Sequence, residues 1–106
     1  MFARRVSMQL KPNIVAEFTQ RIEKDILPLL RKQNGFRDEI TFVVPGGTEA
    51  FGISLWDTRE NAEAYNRETY PELMKILARV VEGTPKVETY EVANSTFHKI
   101  AAAAVA

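Results

Sequence analysis

The side chains that could do chemistry in this chain are mainly aromatic and polar, because it contains no cysteine and a single histidine, His98. The lack of cysteine excludes disulfides, thiolate nucleophiles, cysteine-bound zinc and iron–sulfur clusters. A site that needs two or three imidazoles cannot be built within one chain. Glu49, Asp57 and Glu60 are not spaced as a metal cluster, and the last two have an explanation in helix capping. We therefore expect no metal site and no cofactor.

A second group of residues could bind a small molecule. Tyrosine hydroxyls, an arginine and short polar side chains can hold the oxygens of a substrate, while an apolar wall excludes water. The candidate pocket residues are Trp56, Tyr65, Tyr70, Tyr90, Arg5, Ser7 and Gln9.

These candidates also have purely structural explanations. Trp56 ends a predicted strand, where a large aromatic residue commonly fills a core or an interface. The two tyrosines of the predicted second helix fit half-buried packing positions equally well. Arg5 could pair with Glu39 or Glu91 on a neighbouring strand.

Composition limits the classes of protein to consider. The 106 residues are enough for one domain with a real core. The 14 basic and 14 acidic residues balance, and no basic run is present, which argues against a nucleic-acid partner. No apolar run approaches the ~20 residues of a membrane span. The basic pair near the N-terminus lacks the apolar segment of a signal peptide. We therefore expect a cytoplasmic protein without a membrane partner.

Alternation of apolar and polar residues predicts four strands. In the first strand, Val6, Met8 and Leu10 share one face. A turn rich in proline and glycine separates the second strand from the third, so these two strands should form an antiparallel hairpin. The predicted strands cover residues 4–10, 36–44, 49–56 and 87–92.

Apolar residues at helical spacing predict a first amphipathic helix across residues 14–30. Asn13 is the expected N-cap. Pro28 lies inside this segment and should kink the helix or begin a new last turn, because it lacks a backbone N–H.

A second helical region should begin after the third strand. Asp57 is the expected cap, with Glu60 reaching back to it. Pro71 suits the first turn of a second helical segment. Helical spacing of apolar residues continues from there to Val81.

The order strand, helix, strand, strand, helix, strand predicts a ferredoxin-like α+β fold, β-α-β-β-α-β. Right-handed crossovers place both helices on one face of a four-stranded antiparallel sheet. We expect a single domain over residues 1–106, with its core at about 3–93 and a short C-terminal tail at 94–106.

The face of this sheet that the helices leave open should be charged if it met water. The residues opposite the main apolar rows include few charges. Such a face would expose apolar surface that monomers usually hide. We therefore expect a homodimer that pairs through sheet faces, with a monomer as the alternative. The residues assigned to the open face are Ser7, Thr41, Val43, Gly52, Ser54 and Trp56.

Three short stretches, together with the order of elements, carry a resemblance to a known family. They are Lys11-Pro12 before the first helix, Gly35-Phe36 at the start of the second strand, and residues 55–62 (Leu-Trp-Asp-Thr-Arg-Glu-Asn-Ala). Over about residues 3–93, the chain resembles the antibiotic biosynthesis monooxygenase (ABM) domain family. Members of that family form dimeric α+β barrels. Some oxidise polycyclic aromatic compounds with O2 and no cofactor or metal, and others degrade haem.

The haem-degrading members need three features, and this chain has one of them. Trp56 matches the tryptophan near the end of the third strand. No histidine lies between Asp57 and Glu82 to match the haem ligand of the second helix. The first strand has no asparagine, and His98 lies beyond the last strand. Haem degradation is therefore not expected.

The resemblance instead implies a cofactor-independent monooxygenase-like protein that acts on a small aromatic or quinone-like compound. Tyrosine hydroxyls and an arginine would stabilise a phenolate in such a site. This function predicts a closed apolar cavity between the helices and the sheet, beside Trp56. The alternative is a non-catalytic small-molecule-binding or regulatory dimer with the same fold.

Overall fold

The computed structural model describes residues 1–97. His98 and most of the alanine-rich tail lie outside the described residues, so the sequence-based expectations for them stay predictions. No helix within the described range is long and apolar enough to cross a membrane. The elements are β1 (Phe2–Leu10), α1 (Val15–Arg21), a π-helical turn (Ile22–Ile26), α2 (Leu27–Arg31), β2 (Phe36–Val43), β3 (Glu49–Trp56), α3 (Arg59–Glu68), α4 (Tyr70–Leu77) and β4 (Val81–Glu91).

The strands form one antiparallel sheet in the order β2-β3-β1-β4, with all helices packed on one face. This architecture confirms the predicted ferredoxin-like α+β fold. The hydrophobic core lies between the helices and the covered face of the sheet. Its largest fully buried side chains are Trp56, Phe18, Leu10 and Val80.

The first helical region consists of three consecutive parts, and Pro28 lies in the third. α1 gives way to the π-helical turn, and α2 begins one residue before the proline. This matches the predicted new last turn, because proline cannot donate to the helical hydrogen-bond ladder. The predicted cap at Asn13 is wrong. Asn13 has a φ of 56°, and Ile14 takes the cap position without a side-chain hydrogen bond.

The cap of α3 lies one residue later than predicted. The Thr58 side chain accepts a hydrogen bond from the Asn61 backbone N–H at 3.1 Å. Asp57 is not the cap because its own backbone N–H donates to the Gly35 carbonyl oxygen at 2.8 Å, beside the β2–β3 pairing. Its carboxylate instead forms an ion pair with Arg37.

The last strand begins earlier than predicted. α4 ends at Leu77, so the expectation that the helix continues to Val81 is wrong. Val81 pairs with Leu10 of β1, and Val80 accepts a hydrogen bond from the Lys11 backbone N–H at 3.0 Å. A short apolar run fits a helix or a strand equally well by spacing alone. Here, pairing with β1 decides in favour of the strand.

The largest correction concerns which face of β2 and β3 the helices cover. On β1 the predicted apolar row does face the helices. On β2 and β3 the residues predicted for the open face lie under the helices instead, and the apolar rows face away. Residues that pair across neighbouring strands share a face, and the register links Arg4 to Ser54 and Ser54 to Glu39. The residues predicted to be open but found on the covered side are Thr41, Val43, Gly52, Ser54 and Trp56.

Candidate active site

A cleft lies between the helices and the covered face of the sheet. Its enclosed part measures about 50 Å³, which is smaller than the ~300–1,000 Å³ that small-molecule sites commonly occupy. The cleft is open at its mouth, so the closed cavity expected from the sequence is not formed. The apolar walls come from the helices and β1, and polar groups gather on the sheet and on α3 and α4. The polar lining residues are Arg4, Glu39, Thr41, Ser54, Tyr65 and Tyr70.

Arg4 is a buried lining residue of this cleft. It belongs to the same alternating row of β1 as Val6 and Met8, so the strand directs its side chain towards the helices. The residue is only 3% exposed. Its Nη2 donates a hydrogen bond to Asn66 Oδ1 at 2.6 Å.

Two tyrosine rings lie against the Arg4 guanidinium. Its central carbon is 4.1 Å from the ring centroid of Tyr70 and 5.1 Å from that of Tyr65. Arg4 forms no salt bridge with any residue in the range 1–97. A guanidinium has five N–H donors and binds carboxylate or other anionic oxygens well. Its remaining donors could therefore hold an anionic ligand oxygen.

Burial sets the protonation states of these groups. It lowers the pKa of Arg4, but arginine stays charged in proteins. Burial raises the pKa of Tyr65 and of Tyr70, and the nearby Arg4 charge opposes this only in part. Both tyrosines are therefore neutral near pH 7. The site then contains one buried cation and two neutral phenol groups that can donate hydrogen bonds.

Glu39 lies on the cleft wall contributed by β2. Its two carboxyl oxygens accept from the Thr41 hydroxyl at 3.0 and 2.7 Å. Burial raises the pKa of Glu39, and the hydrogen bond from Thr41 acts in the opposite direction. A carboxylate with a raised pKa in a cleft is a candidate for acid–base chemistry.

Trp56 supports the cleft from behind. It is completely buried, and its Nε1 donates to Ser54 Oγ at 2.9 Å. Its ring packs against that of Tyr65, with 4.8 Å between the ring centroids and 32° between the ring planes. Trp56 thus packs behind two lining residues, Ser54 and Tyr65, and is not itself among the cleft-lining residues.

The other four predicted pocket residues lie on the open face of the sheet. Arg5, Ser7 and Gln9 alternate with the cleft-facing row of β1, and Tyr90 is 46% exposed on β4. They do not line this cleft, so a binding role for them remains a prediction about the open face. The suggested pairing of Arg5 with Glu39 or Glu91 is wrong, because the register places both glutamates on the opposite side of the sheet from Arg5.

Arg4 and Glu39 were not predicted as site residues from the sequence. The available signal was the position of Arg4 in the apolar row of β1, where a charged residue lies between Phe2 and Val6. Glu39 was harder to predict, because its row of β2 was expected to lie on the open face, where a charged residue is ordinary. Within residues 1–97, no three histidine, cysteine, aspartate or glutamate side chains come together as a metal site.

Comparison with known proteins identifies the fold but no sequence family. No family model matches the chain, and no curated protein sequence matches it significantly. Solved structures do match. A protein of unknown function from Nitrosomonas europaea, NE2512, has a TM-score of 0.75 at 15% identity, covering 91% of this chain and 92% of that one.

Two further matches carry functional names. A Bordetella bronchiseptica protein, named provisionally as an antibiotic biosynthesis monooxygenase, has a TM-score of 0.74 at 16% identity, covering 86% of this chain and 95% of that one. This chain has the fold of these proteins. A monooxygenase from the gene ActVA-Orf6 of Streptomyces coelicolor, solved with nanaomycin D, has a TM-score of 0.71 at 17% identity, covering 91% and 90%. Identities this low establish a shared fold and leave the activity to be argued from the site.

Proposed function

We propose that this protein is a cofactor-independent monooxygenase-like protein that acts on a small phenolic or quinone-like aromatic compound. One observation carries the proposal: the buried Arg4 guanidinium has no carboxylate partner among residues 1–97 and lies beside Tyr65 and Tyr70 in a largely apolar cleft. A buried cation costs free energy unless an anionic group compensates it. The ionised oxygen of a phenol is such a group, and its ring would suit the apolar walls.

The cleft groups would favour the electron-rich form of the substrate. Arg4 and the two tyrosine hydroxyls stabilise a phenolate by charge-assisted hydrogen bonds in a site from which water is largely excluded. The phenolate can then give electrons to O2. In the net reaction one oxygen atom enters the substrate and the other leaves as water. An anthrone, for example, becomes an anthraquinone as its CH2 group is converted to C=O.

An aromatic ring has to enter through the mouth of the cleft. The enclosed part, about 50 Å³, is smaller than the ~150 Å³ cavity that admits benzene. Five lining residues remain partly exposed, so the cleft opens to solvent among them: Val6, Glu39, Thr41, Tyr70 and Met74. Met74 is unbranched and can move aside at little cost.

We also propose that the protein works as a homodimer that pairs through the open face of the sheet. Ile40 and Phe42 on β2 are 43% and 42% exposed. The Phe42 ring stacks on Phe51 of β3, with 4.8 Å between the ring centroids. Contiguous apolar surface of this kind is usually covered by a partner. A second copy, with the same face, supplies a matching surface.

Oxygen consumption with anthrone tests the enzymatic proposal. The wild-type protein should consume one O2 per anthrone and release anthraquinone, followed by its absorbance. Arg4→Met should lower the rate about 100-fold, as loss of an oxyanion-binding group commonly does. Arg5→Met is the matched control, because Arg5 is the adjacent residue on the opposite face, and it should keep the wild-type rate.

The alternative function gives a different result in the same experiment. If anthrone binds and raises the melting temperature but no O2 is consumed, the protein is a non-catalytic binding protein. Equal rates for the two arginine variants would contradict the assignment of Arg4 to the site.

A further inference from the structure

We propose that Glu39 is the proton acceptor of the cleft and removes a proton from an aromatic carbon acid or phenol whose oxygen is held by Arg4. The proposal rests on the proposed function only for its class of substrate. It goes beyond that function because it assigns the proton-transfer step to a residue outside the cluster of arginine and tyrosines.

The register of the sheet separates Arg4 from Glu39 by a distance that an aromatic ring can span. Arg4 pairs with Ser54 on β3, and Ser54 pairs with Glu39 on β2. Their backbones are therefore two strand spacings apart, or about 10 Å. Both side chains line the same cleft. A ring between them can place its oxygen at Arg4 and its acidic C–H or O–H at Glu39.

A glycine on the central strand makes room for the Glu39 carboxyl group. A Cβ atom added at Gly52 would lie 2.7 Å from Glu39 Oε2, so the carboxyl group, at the free end of a flexible side chain, would have to move aside. No positive φ explains a glycine at this position, in contrast to Gly35, Gly46 and Gly83. The missing side chain thus has a steric consequence: it lets the carboxyl group of Glu39 lie over β3 within the cleft.

The surroundings of Glu39 make its carboxylate more basic than an exposed one. Burial raises its pKa, and the Thr41 hydroxyl holds the carboxylate and limits the rise. The other titratable or charged groups around it come from several elements. They are Arg4 on β1, Tyr65 on α3, Tyr70 on α4, and, along an adjoining surface groove, Arg31, Arg37 and Asp38.

The proton-transfer step conserves atoms and charge without an added reagent. With anthrone, a C–H bond of the CH2 group breaks and its proton forms an O–H bond with the Glu39 carboxylate. The electron pair of that bond moves into the ring system and leaves a negative charge on the ketone oxygen, where Arg4 stabilises it. Return of the proton restores anthrone, so the step is reversible in the absence of O2.

Hydrogen–deuterium exchange under anaerobic conditions measures this step separately from oxidation. Anthrone is incubated with the protein in D2O, and loss of the CH2 proton signal is followed by NMR. The wild-type protein should catalyse exchange, and Glu39→Gln should reduce the catalysed rate about 100-fold or more. Glu88→Gln is the matched control, because Glu88 pairs with Arg5 on the other face of the sheet, and it should exchange at the wild-type rate.

Two more variants separate a proton acceptor from a residue that only supports the fold. Thr41→Val removes the hydrogen bond that stabilises the carboxylate, so the pH midpoint of the exchange rate should move upward. Gly52→Ala should move the carboxyl group and slow exchange, while circular dichroism shows that the fold is retained.

The outcomes distinguish this proposal from the proposed function. Exchange that depends on Glu39 without any O2 consumption supports the base and contradicts the oxygenase. O2 consumption and exchange that are both unaffected in Glu39→Gln overturn the assignment of Glu39 and leave the oxygenase standing. An unchanged pH midpoint in Thr41→Val also counts against Glu39 as the titrating group.

Discussion

Two adjacent rows of residues cross the same three strands and face opposite ways. The covered row consists of Arg4, Ser54 and Glu39, and the open row consists of Arg5, Ile53 and Ile40. Two of the three covered residues are charged, whereas two of the three open residues are aliphatic. Soluble antiparallel sheets usually show the reverse arrangement, with apolar residues inside and polar residues outside.

The difference indicates that each face contains groups that are not fully stabilised by this chain alone. Charged groups placed under helices lose hydration, which costs free energy unless a ligand or partner group compensates them. Aliphatic and aromatic groups placed in water lose the stabilisation that burial would give. The covered face is therefore suited to an ionisable small molecule, and the open face to a second protein surface.

The largest expected effect concerns the open face. If the protein pairs as proposed, replacing two apolar residues of this face by charged ones, Phe42→Lys together with Ile53→Lys, should give a monomer, because charges placed between apolar faces lose their hydration. Sedimentation velocity measures the change. Val43→Lys is the control, since Val43 is similarly exposed at 40% but belongs to the other face. A wild-type protein that sediments as a monomer would contradict the proposed pairing.

An intermediate effect distinguishes two serines on opposite faces. Ser54→Ala should lower the free energy of unfolding by about 1–3 kcal/mol, because the buried Trp56 Nε1 loses its acceptor. Ser7→Ala on the open face should change it by less than about 0.5 kcal/mol. Urea unfolding of both variants gives the comparison. Similar losses in the free energy of unfolding for both variants would mean that polar groups are buried equally on the two faces.

The smallest expected effect is a pH dependence of stability. The pKa of Glu39 in the folded protein is raised above its ordinary value of 4.5. Its contribution to stability is therefore complete below pH 4.5 and is lost as the pH rises through the folded-state pKa. Glu39→Gln removes this loss, so the variant should melt at a higher temperature than wild type at neutral pH and show no such advantage in acid. An advantage in acid that disappears at neutral pH would contradict the raised pKa.

The order of the elements could be predicted because alternation, helical spacing and the Pro/Gly turns agree over most of the chain. The boundaries that failed depend on pairing partners. Asp57 lies just after β3, where its N–H donates to the Gly35 carbonyl oxygen, and Val81 joins a strand because Leu10 lies opposite. Spacing along one segment contains no information about such long-range partners.

The site could be predicted only in part for a related reason. Both rows of β3 contain residues that can be buried, Phe51 and Ile53 on one and Ser54 and Trp56 on the other. Alternation shows that two such rows exist but not which one the helices cover. Tyr65 on α3 and Tyr70 on α4 were predicted because aromatic residues stand out in that helical region, whereas predicting Arg4 and Glu39 requires knowing which face of the sheet the helices cover.

The most direct test of the central claim compares the two neighbouring arginines in a titration with 4-nitrophenol, whose phenolate form absorbs visible light. At a pH below the pKa of the free phenol, binding to the wild-type protein and to Arg5→Met should increase the phenolate absorbance. Arg4→Met should show no increase and bind at least about 10-fold more weakly, a loss typical of a charged hydrogen bond. An unchanged phenolate signal in Arg4→Met, with the loss appearing in Arg5→Met, would place the binding site on the open face and contradict the account.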